Sequence, residues 1–195
     1  MTPKLKLIGL IGRKGSGKDT AAETLLAGGY RNVKFAGALK DMLRCLLAYQ
    51  GTDSQTIERM VEGDLKEVPT HLLGGQTPRF AMQTLGTEWG RDLIAHNLWV
   101  NTAIERAKGH LTVITDVRFP NEVEAVYAAG GVCIGIQADW IVPVEGEHES
   151  EALIDNLIAA LPEQHKIVNH RGDAGAEAAA IQEFQNRFLA LLNGL

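Results

Sequence analysis

The feature that most constrains this chain is its first apolar run together with the glycine-rich segment at its end. Leu5, Leu7, Ile8, Leu10 and Ile11 form a short hydrophobic stretch, charged only at Lys6, that ends in Gly12-Arg13-Lys14-Gly15-Ser16-Gly17-Lys18-Asp19-Thr20. A helical pattern with Ala21, Ala22, Leu25 and Leu26 then begins. A buried strand, a glycine-rich turn and a helix, in that order, make a phosphate-binding loop. The glycines let backbone N–H groups close around an anion with no Cβ in the way, and the helix N-terminus adds its positive dipole end. Gly12, Arg13, Lys14, Gly15, Ser16 and Gly17 are the expected cradle, with Lys18 reaching the terminal phosphates. The strict motif has Ser or Thr directly after the lysine; here Asp19 stands there and Thr20 comes next.

Past this unit, strands and helices alternate. The first strand is expected over 5–11 and the first helix over 18–27, stopped by Gly28-Gly29. Further strands are expected at Val33–Phe35, Leu111–Asp116, Val132–Ile136 and Ile167–Val168. Helical spacing predicts helices over 38–49, 54–61, 78–85, 93–108, 122–129, 150–161 and 174–192, with Gly86 and Gly90 breaking the chain near Trp89. Such alternation predicts an α/β fold, a central parallel sheet with helices on both faces. Ligands collect at the carboxyl ends of the strands in such sheets, which puts the chemistry after Ile11, Phe35, Thr115, Ile136 and Val168. The 195 residues read as one domain. Residues 50–70 are polar and acidic and read as a mobile flap, and 137–150 as a lid-like loop.

Charge and cysteine usage exclude some classes. The formal net charge is -5, the wrong sign for a protein that coats a nucleic-acid polymer, although a local cluster of cations still suits a small anion. The two cysteines, Cys45 and Cys133, lie far apart among apolar residues and read as buried free thiols, which points to a reducing, cytoplasmic setting. No Cys/His spacing suggests zinc, and no apolar run is long enough to cross a membrane.

Two further segments carry chemistry. Asp116-Val117-Arg118 comes directly after a strand: a carboxylate there can hold Mg2+ through water, and Arg118 can clamp a phosphate. Arg79, Gln83, Thr84, Gly86, Thr87, Glu88, Trp89 and Arg91 suit a nucleoside monophosphate, arginines for the phosphate, indole and amide for the base. Lys40 suits either an acceptor phosphate or a solvated helix face. His148 reads as a cap or hydrogen-bond partner, with no acid–base role. Two features count against a switch GTPase: Phe119 stands where its glycine belongs, and Asn169-His170-Arg171-Gly172 does not match its base-reading motif.

These blocks together resemble the bacteriophage-type deoxynucleoside monophosphate kinases. The segments that carry the resemblance are Gly15-Ser16-Gly17-Lys18-Asp19-Thr20; Phe35-Ala36 with Leu39-Lys40; Arg79 with Gln83-Thr84-Leu85-Gly86-Thr87-Glu88-Trp89-Gly90-Arg91; and Asp116-Val117-Arg118-Phe119-Pro120-Asn121-Glu122. The resemblance implies a three-layer P-loop kinase fold and transfer of the γ-phosphoryl of ATP to a deoxynucleoside monophosphate, with Mg2+. It assigns Thr20, Asp19 and Asp116 to the metal, and Lys40, Arg79, Gln83, Thr87, Glu88, Trp89 and Arg91 to the acceptor. Asn169 and Gly172 fall to adenine, and Lys18, Asp116 and Arg118 to the transfer itself. Related kinases often carry an arginine after the fourth strand, where this chain has Gln137. Arg118, or Arg13 and Lys14, would then neutralise the moving phosphoryl. Another small-molecule kinase, such as a dephospho-coenzyme A kinase, and a non-catalytic ATP-binding switch are the alternatives, separated by a panel of acceptors. If phage-encoded, the chain is expected in the host cytoplasm. The apolar face of its last helix suits either core or a homodimer contact.

Overall fold

The computed structural model describes residues 5–141, 149–170 and 177–195. Among them five strands form one all-parallel sheet: β1 (Leu7–Ile11), β2 (Arg31–Val33), β3 (Thr112–Ile114), β4 (Val132–Ala138) and β5 (Lys166–Asn169), in the order β2-β3-β1-β4-β5. β1 is central and buried along its whole length. The loop after it therefore leaves the middle of the sheet, between the ends of β3 and β4.

The alternation of side chains along each strand divides the helices between two faces. Ile8 and Leu10 of β1, Ile134 and Ile136 of β4, Val113 and Ile167 pack with Ala21, Ala22 and Leu25 of α1 (Lys18–Ala27) and Phe184 and Phe188 of α8 (Glu177–Asn193). On the other face stand Gly9 and Gly135. A Cβ on Gly9 would meet Val126 of α6 (Pro120–Ala128) at 3.4 Å, and one on Gly135 would meet Ile158 of α7 (Glu149–Ala160) at 2.9 Å. The α/β three-layer arrangement expected from the sequence is thus present, and its glycines let α6 and α7 approach the sheet closely.

The chain divides into two compact units, Met1–Val33 with Ile104–Leu195, which carries the sheet, and Lys34–Ala103. The second unit is helical. α2 (Gly37–Tyr49) buries Leu39, Leu43 and Leu47, four residues apart, against Ile57, Met60 and Val61 of α3 (Ser54–Val61), Met82 of α4 (Pro78–Thr84) and Trp99. That stripe turns Cys45 outward, so of the two cysteines expected inside only Cys133 is buried. Burial pushes the Cys133 thiol up to about 12. Local signals fix the helix starts: the Asp53 side chain accepts from Thr56 N at 3.0 Å, and Thr77 accepts from Phe80 N at 3.1 Å with Pro78 at the first position.

Several expected boundaries move. β1 starts at Leu7, not Leu5. β2 is Arg31–Val33 rather than Val33–Phe35, because pairing with the three residues of β3 fixes its register and Gly37 N then turns back to Lys34 O. Phe35 is buried beyond the strand. The break expected at Gly86 and Gly90 is instead a π-helix over Leu85–Ile94. The Trp99 indole explains it: its Nε1 donates to Gly86 O at 2.9 Å, and a Cβ on Gly90 would sit 2.4 Å from that same nitrogen. The helix widens around the ring and gives way to extended backbone at Ala95, so α5 (Leu98–Ala107) starts later than the expected 93. The acidic stretch forms α3 and a 3-10 turn at Asp64–Glu67. Of the expected lid-like loop, Gln137 and Ala138 prolong β4, and residues 142–148 lie outside the described residues, as do His148, Arg171 and Gly172.

Candidate active site

The loop after β1 has the form an anion cradle needs. Gly15 and Gly17 have φ of 81° and 101°, values only glycine adopts without strain. Gly12 lies so close to the folded-back loop that a Cβ there would be 2.5 Å from Ser16 Oγ and 2.6 Å from Ile136 O. Ser16 Oγ is buried and has no hydrogen-bond partner. A buried hydroxyl left unpaired costs about 1–3 kcal/mol, and a phosphate oxygen in the loop is the kind of acceptor that would relieve it. Lys18 opens α1 and its Nζ donates to Arg13 O at 2.7 Å, so the ammonium already spans the loop. Lys14, Gly15 and Asp19 are exposed; Thr20 is half-buried in the first turn of α1.

Two side chains remote in sequence hold this loop. Arg13 is buried and donates through Nε and Nη2 to both carboxylate oxygens of Asp155 on α7, at 3.0 and 2.8 Å. This two-bond fork is the strongest geometry an arginine makes with a carboxylate. Asn169, the last residue of β5, donates from Nδ2 to Ser16 O at 3.1 Å and lies against the bare Cα of Gly17. The family resemblance assigned Asn169 to adenine; in the structure one of its amide N–H groups is engaged with the loop. Asp155 carried no sequence signal, being 142 positions from Arg13.

Asp116 lies just beyond β3 and is half-buried, and Arg118 is exposed. What fixes this turn is Glu122, which is 3% exposed and whose Oε2 accepts from Arg118 N at 2.7 Å and Phe119 N at 3.1 Å. Glu122 is the third residue of α6, behind Pro120 at the first, so this is the carboxylate arm of a capping box. Its signal is legible in Phe119-Pro120-Asn121-Glu122, where a glutamate stands at the third position behind a proline.

The acceptor residues expected from the sequence all belong to the helical unit. Arg79 and Gln83 lie on α4, Arg79 exposed and Gln83 beside the buried Met82; Thr87, Glu88, Trp89 and Arg91 lie on the π-helix. π-Helical turns are rare and often mark functional sites. Trp89 is 38% exposed, its ring centroid 6.0 Å from that of Trp99. Arg79 pairs with Glu67. Lys40 donates to both oxygens of Glu62 at 2.8 Å. Burial pushes the Glu62 carboxyl up, but the Lys40 bond and the charges of Lys40, Lys34 and Lys66 outweigh it and hold the group below its ordinary value. Lys66 was not singled out in the sequence. Its ammonium is pulled below the ordinary lysine value, first by burial and then by Lys40 and Arg79. Around these, Arg44 forks to Glu58 at 2.7 and 2.9 Å, and Arg59 to Asp64 at 2.9 and 2.6 Å.

No protein-family model matches the chain. A protein of Acanthamoeba polyphaga mimivirus that bears the name deoxynucleotide monophosphate kinase is 33% identical over 166 residues, which cover 77% of this chain and 83% of the viral protein. The deoxynucleoside-5'-monophosphate kinase of Escherichia phage T5 is 32% identical over 98 residues, 48% of this chain and 39% of the phage enzyme. Among solved structures, TT1252 of Thermus thermophilus aligns over 94% of this chain and 96% of its own at 18% identity and a TM-score of 0.43. No helix among the described residues is long and apolar enough to cross a membrane.

Proposed function

The chain belongs to the deoxynucleotide monophosphate kinases, and from that premise we propose that it moves the γ-phosphoryl of ATP onto a deoxynucleoside monophosphate, with the work divided among its own residues. Gly12 to Gly17 and Lys18 hold the donor phosphates. Lys40, Arg79 and Arg91 hold the acceptor phosphate, with Gln83, Thr87, Glu88 and Trp89 toward its base and sugar. Arg118 stabilises charge that builds during transfer. The acceptor phosphate oxygen is already ionised, so no general base is required and catalysis rests on positioning and electrostatics.

The observation that carries the donor half is the loop: left-handed glycines, a buried unpaired Ser16 hydroxyl and Lys18 across the cradle. Thr20 and Asp19 at the start of α1 and Asp116 just beyond β3 would supply the oxygens for Mg2+, which takes one or two protein oxygens and fills its shell with water and substrate phosphates. When bound, the ion would neutralise charge on the ATP phosphates. Arg13 forks to Asp155 and Lys14 is exposed, which favours Lys14 over Arg13 as the loop cation that faces the moving group beside Arg118. Asn169 supports the loop from beneath, and its contribution to adenine is carried by whatever the side chain does not give to Ser16. No role is given to Gly172.

A coupled ADP-release assay with ATP, Mg2+ and each deoxy- and ribonucleoside monophosphate in turn tests the reading. Turnover with at least one deoxynucleotide is the expected result; ATP binding without transfer to any acceptor would refute it. Lys18→Ala should lower turnover by about 10²-fold or more, and unchanged turnover would remove the phosphate-loop assignment.

A further inference from the structure

Lys66 is a half-buried cation that the surrounding carboxylates do not balance. It sits in the 3-10 turn Asp64–Glu67, between Glu62 and Glu67 in sequence. Both carboxylates are engaged elsewhere: Glu62 with Lys40 through both oxygens and with Arg44 at 3.5 Å, Glu67 with Arg79. The Lys66 ammonium itself has neither a hydrogen bond nor an ion pair among the described residues. Lys40 and Arg79 lie near enough to repel its charge. The Glu62–Lys40 and Glu67–Arg79 pairs bring two cations to the short segment that carries a third, Lys66, in a chain whose net charge is -5; the charges of Glu62 and Glu67 attract Lys66, but of the three it is the one to which no carboxylate is bonded among the described residues. An ammonium taken partly out of water beside two like charges is a costly arrangement that an anion relieves.

We propose that Lys66 is a third ligand of the acceptor phosphate, shared with Lys40 and Arg79, and that Glu62 and Glu67 are counter-ions which hold those two cations in place and compete with the phosphate for them. The proposal rests on the kinase reading and deepens it: the subsite is built for a phosphate monoester dianion, whose oxygens can take all three cations at once. Lys40 and Arg79 exchange a carboxylate for the phosphate, whereas Lys66 gains a hydrogen-bonded partner it did not have. Lys66 then contributes most to the difference between the bound and free states.

Steady-state kinetics on the full chain, with a deoxynucleoside monophosphate that the wild type turns over, tests this. Lys66→Met should raise the acceptor KM about tenfold while the ATP KM stays within about twofold, and Lys66→Arg should recover most of the loss. Glu67→Gln should act in the opposite direction, lowering the acceptor KM about threefold, because it frees Arg79 from a competing carboxylate. If Glu67 merely braced Arg79, its loss would raise the acceptor KM. The melting temperature should not fall in Lys66→Met, since the folded state holds that charge less well than the unfolded chain does. An unchanged acceptor KM in Lys66→Met, a rise confined to the ATP KM, or a rise in the acceptor KM in Glu67→Gln would each overturn the proposal. If the wild type turned over no monophosphate, the kinase reading would fall on its own. Calorimetry with inorganic phosphate would then decide the subsite: binding lost in Lys66→Met supports it, and equal binding in the two proteins overturns it.

Discussion

Gly17→Ala tests how the phosphate loop is held, and its cost comes from two separate observations. The backbone at Gly17 has φ 101° and ψ 10°, a left-handed conformation that costs a residue with a Cβ about 1–2 kcal/mol. The added methyl would also lie 2.4 Å from Asn169 Nδ2, where ordinary contact begins about an ångström further out. Asn169 must swing away, and its bond to Ser16 O goes with it, a further loss of about 1 kcal/mol. The single substitution should therefore cost about 2–3 kcal/mol in chemical denaturation. Asn169→Ala alone should cost about 1 kcal/mol, from the lost bond. In the double variant the clash is gone and only the backbone strain remains, so the two effects should fall short of adding by about 1 kcal/mol. The measurement is a four-protein denaturation cycle, with ATP KM followed in parallel. A cost for Gly17→Ala below about 0.5 kcal/mol, or the same cost in both backgrounds, would refute the account of Asn169 as the residue that packs on and pins the loop.

Three other outcomes are expected from the same structure. Gly90→Ala would push a methyl into the Trp99 ring and break the bond from Trp99 Nε1 to Gly86 O, costing about 2–3 kcal/mol by denaturation; a neutral result would remove the reason given for the π-helix. Glu122→Ala strips a buried carboxylate from two backbone N–H groups and should cost about 2–3 kcal/mol and lower turnover, with Glu122→Gln milder on both; full activity in Glu122→Ala would show that the Asp116–Arg118 turn needs no support. Acid should melt the helical unit early. Asp53, Glu58 and Asp64 are held below their ordinary values, by the Thr56 N–H, Arg44 and Arg59 respectively. A carboxylate depressed on folding stabilises above its ordinary value and loses that contribution as pH falls, so the melting temperature should decline as pH drops past 4.5 and then 3.8. A melting temperature flat to pH 3, measured by circular dichroism with and without high salt, would show these pairs to be spectators.

The loop proposed to hold the donor was legible because its signals are local. A strand, a glycine-rich turn and a helix occupy about twenty consecutive residues, and their backbone needs are written in glycine positions. The parallel sheet could be inferred from the alternation of strands and helices. What the sequence could not show was set by contacts between distant residues. The register of β2 depends on which three residues of β3 it meets, and a run containing Val33 and Phe35 does not say which of them pairs. The π-helix depends on an indole nine residues beyond Gly90, and two glycines in a helical stretch read by themselves as a break. The cations proposed for the acceptor were visible one at a time, as Lys40 and Arg79, but their grouping with Lys66 needed α2, α4 and the Asp64–Glu67 turn to be folded together.

The phosphate loop shows why such distant contacts accompany a glycine-rich motif. Gly12, Gly15 and Gly17 give the backbone the freedom to wrap an anion, and that same freedom makes the wrapped conformation entropically expensive to hold. The chain offsets this from outside the motif. Asp155 on α7 fixes Arg13 at the start of the loop, and Asn169 at the end of β5 fixes Ser16 near its close. Both partners come from elements packed on or beside β4, so the loop is shaped by the same sheet order that brings it to the centre of the unit. A motif search sees the glycines because they are adjacent in sequence. It does not see Asp155 or Asn169, which bond to the loop from far along the chain and hold its shape.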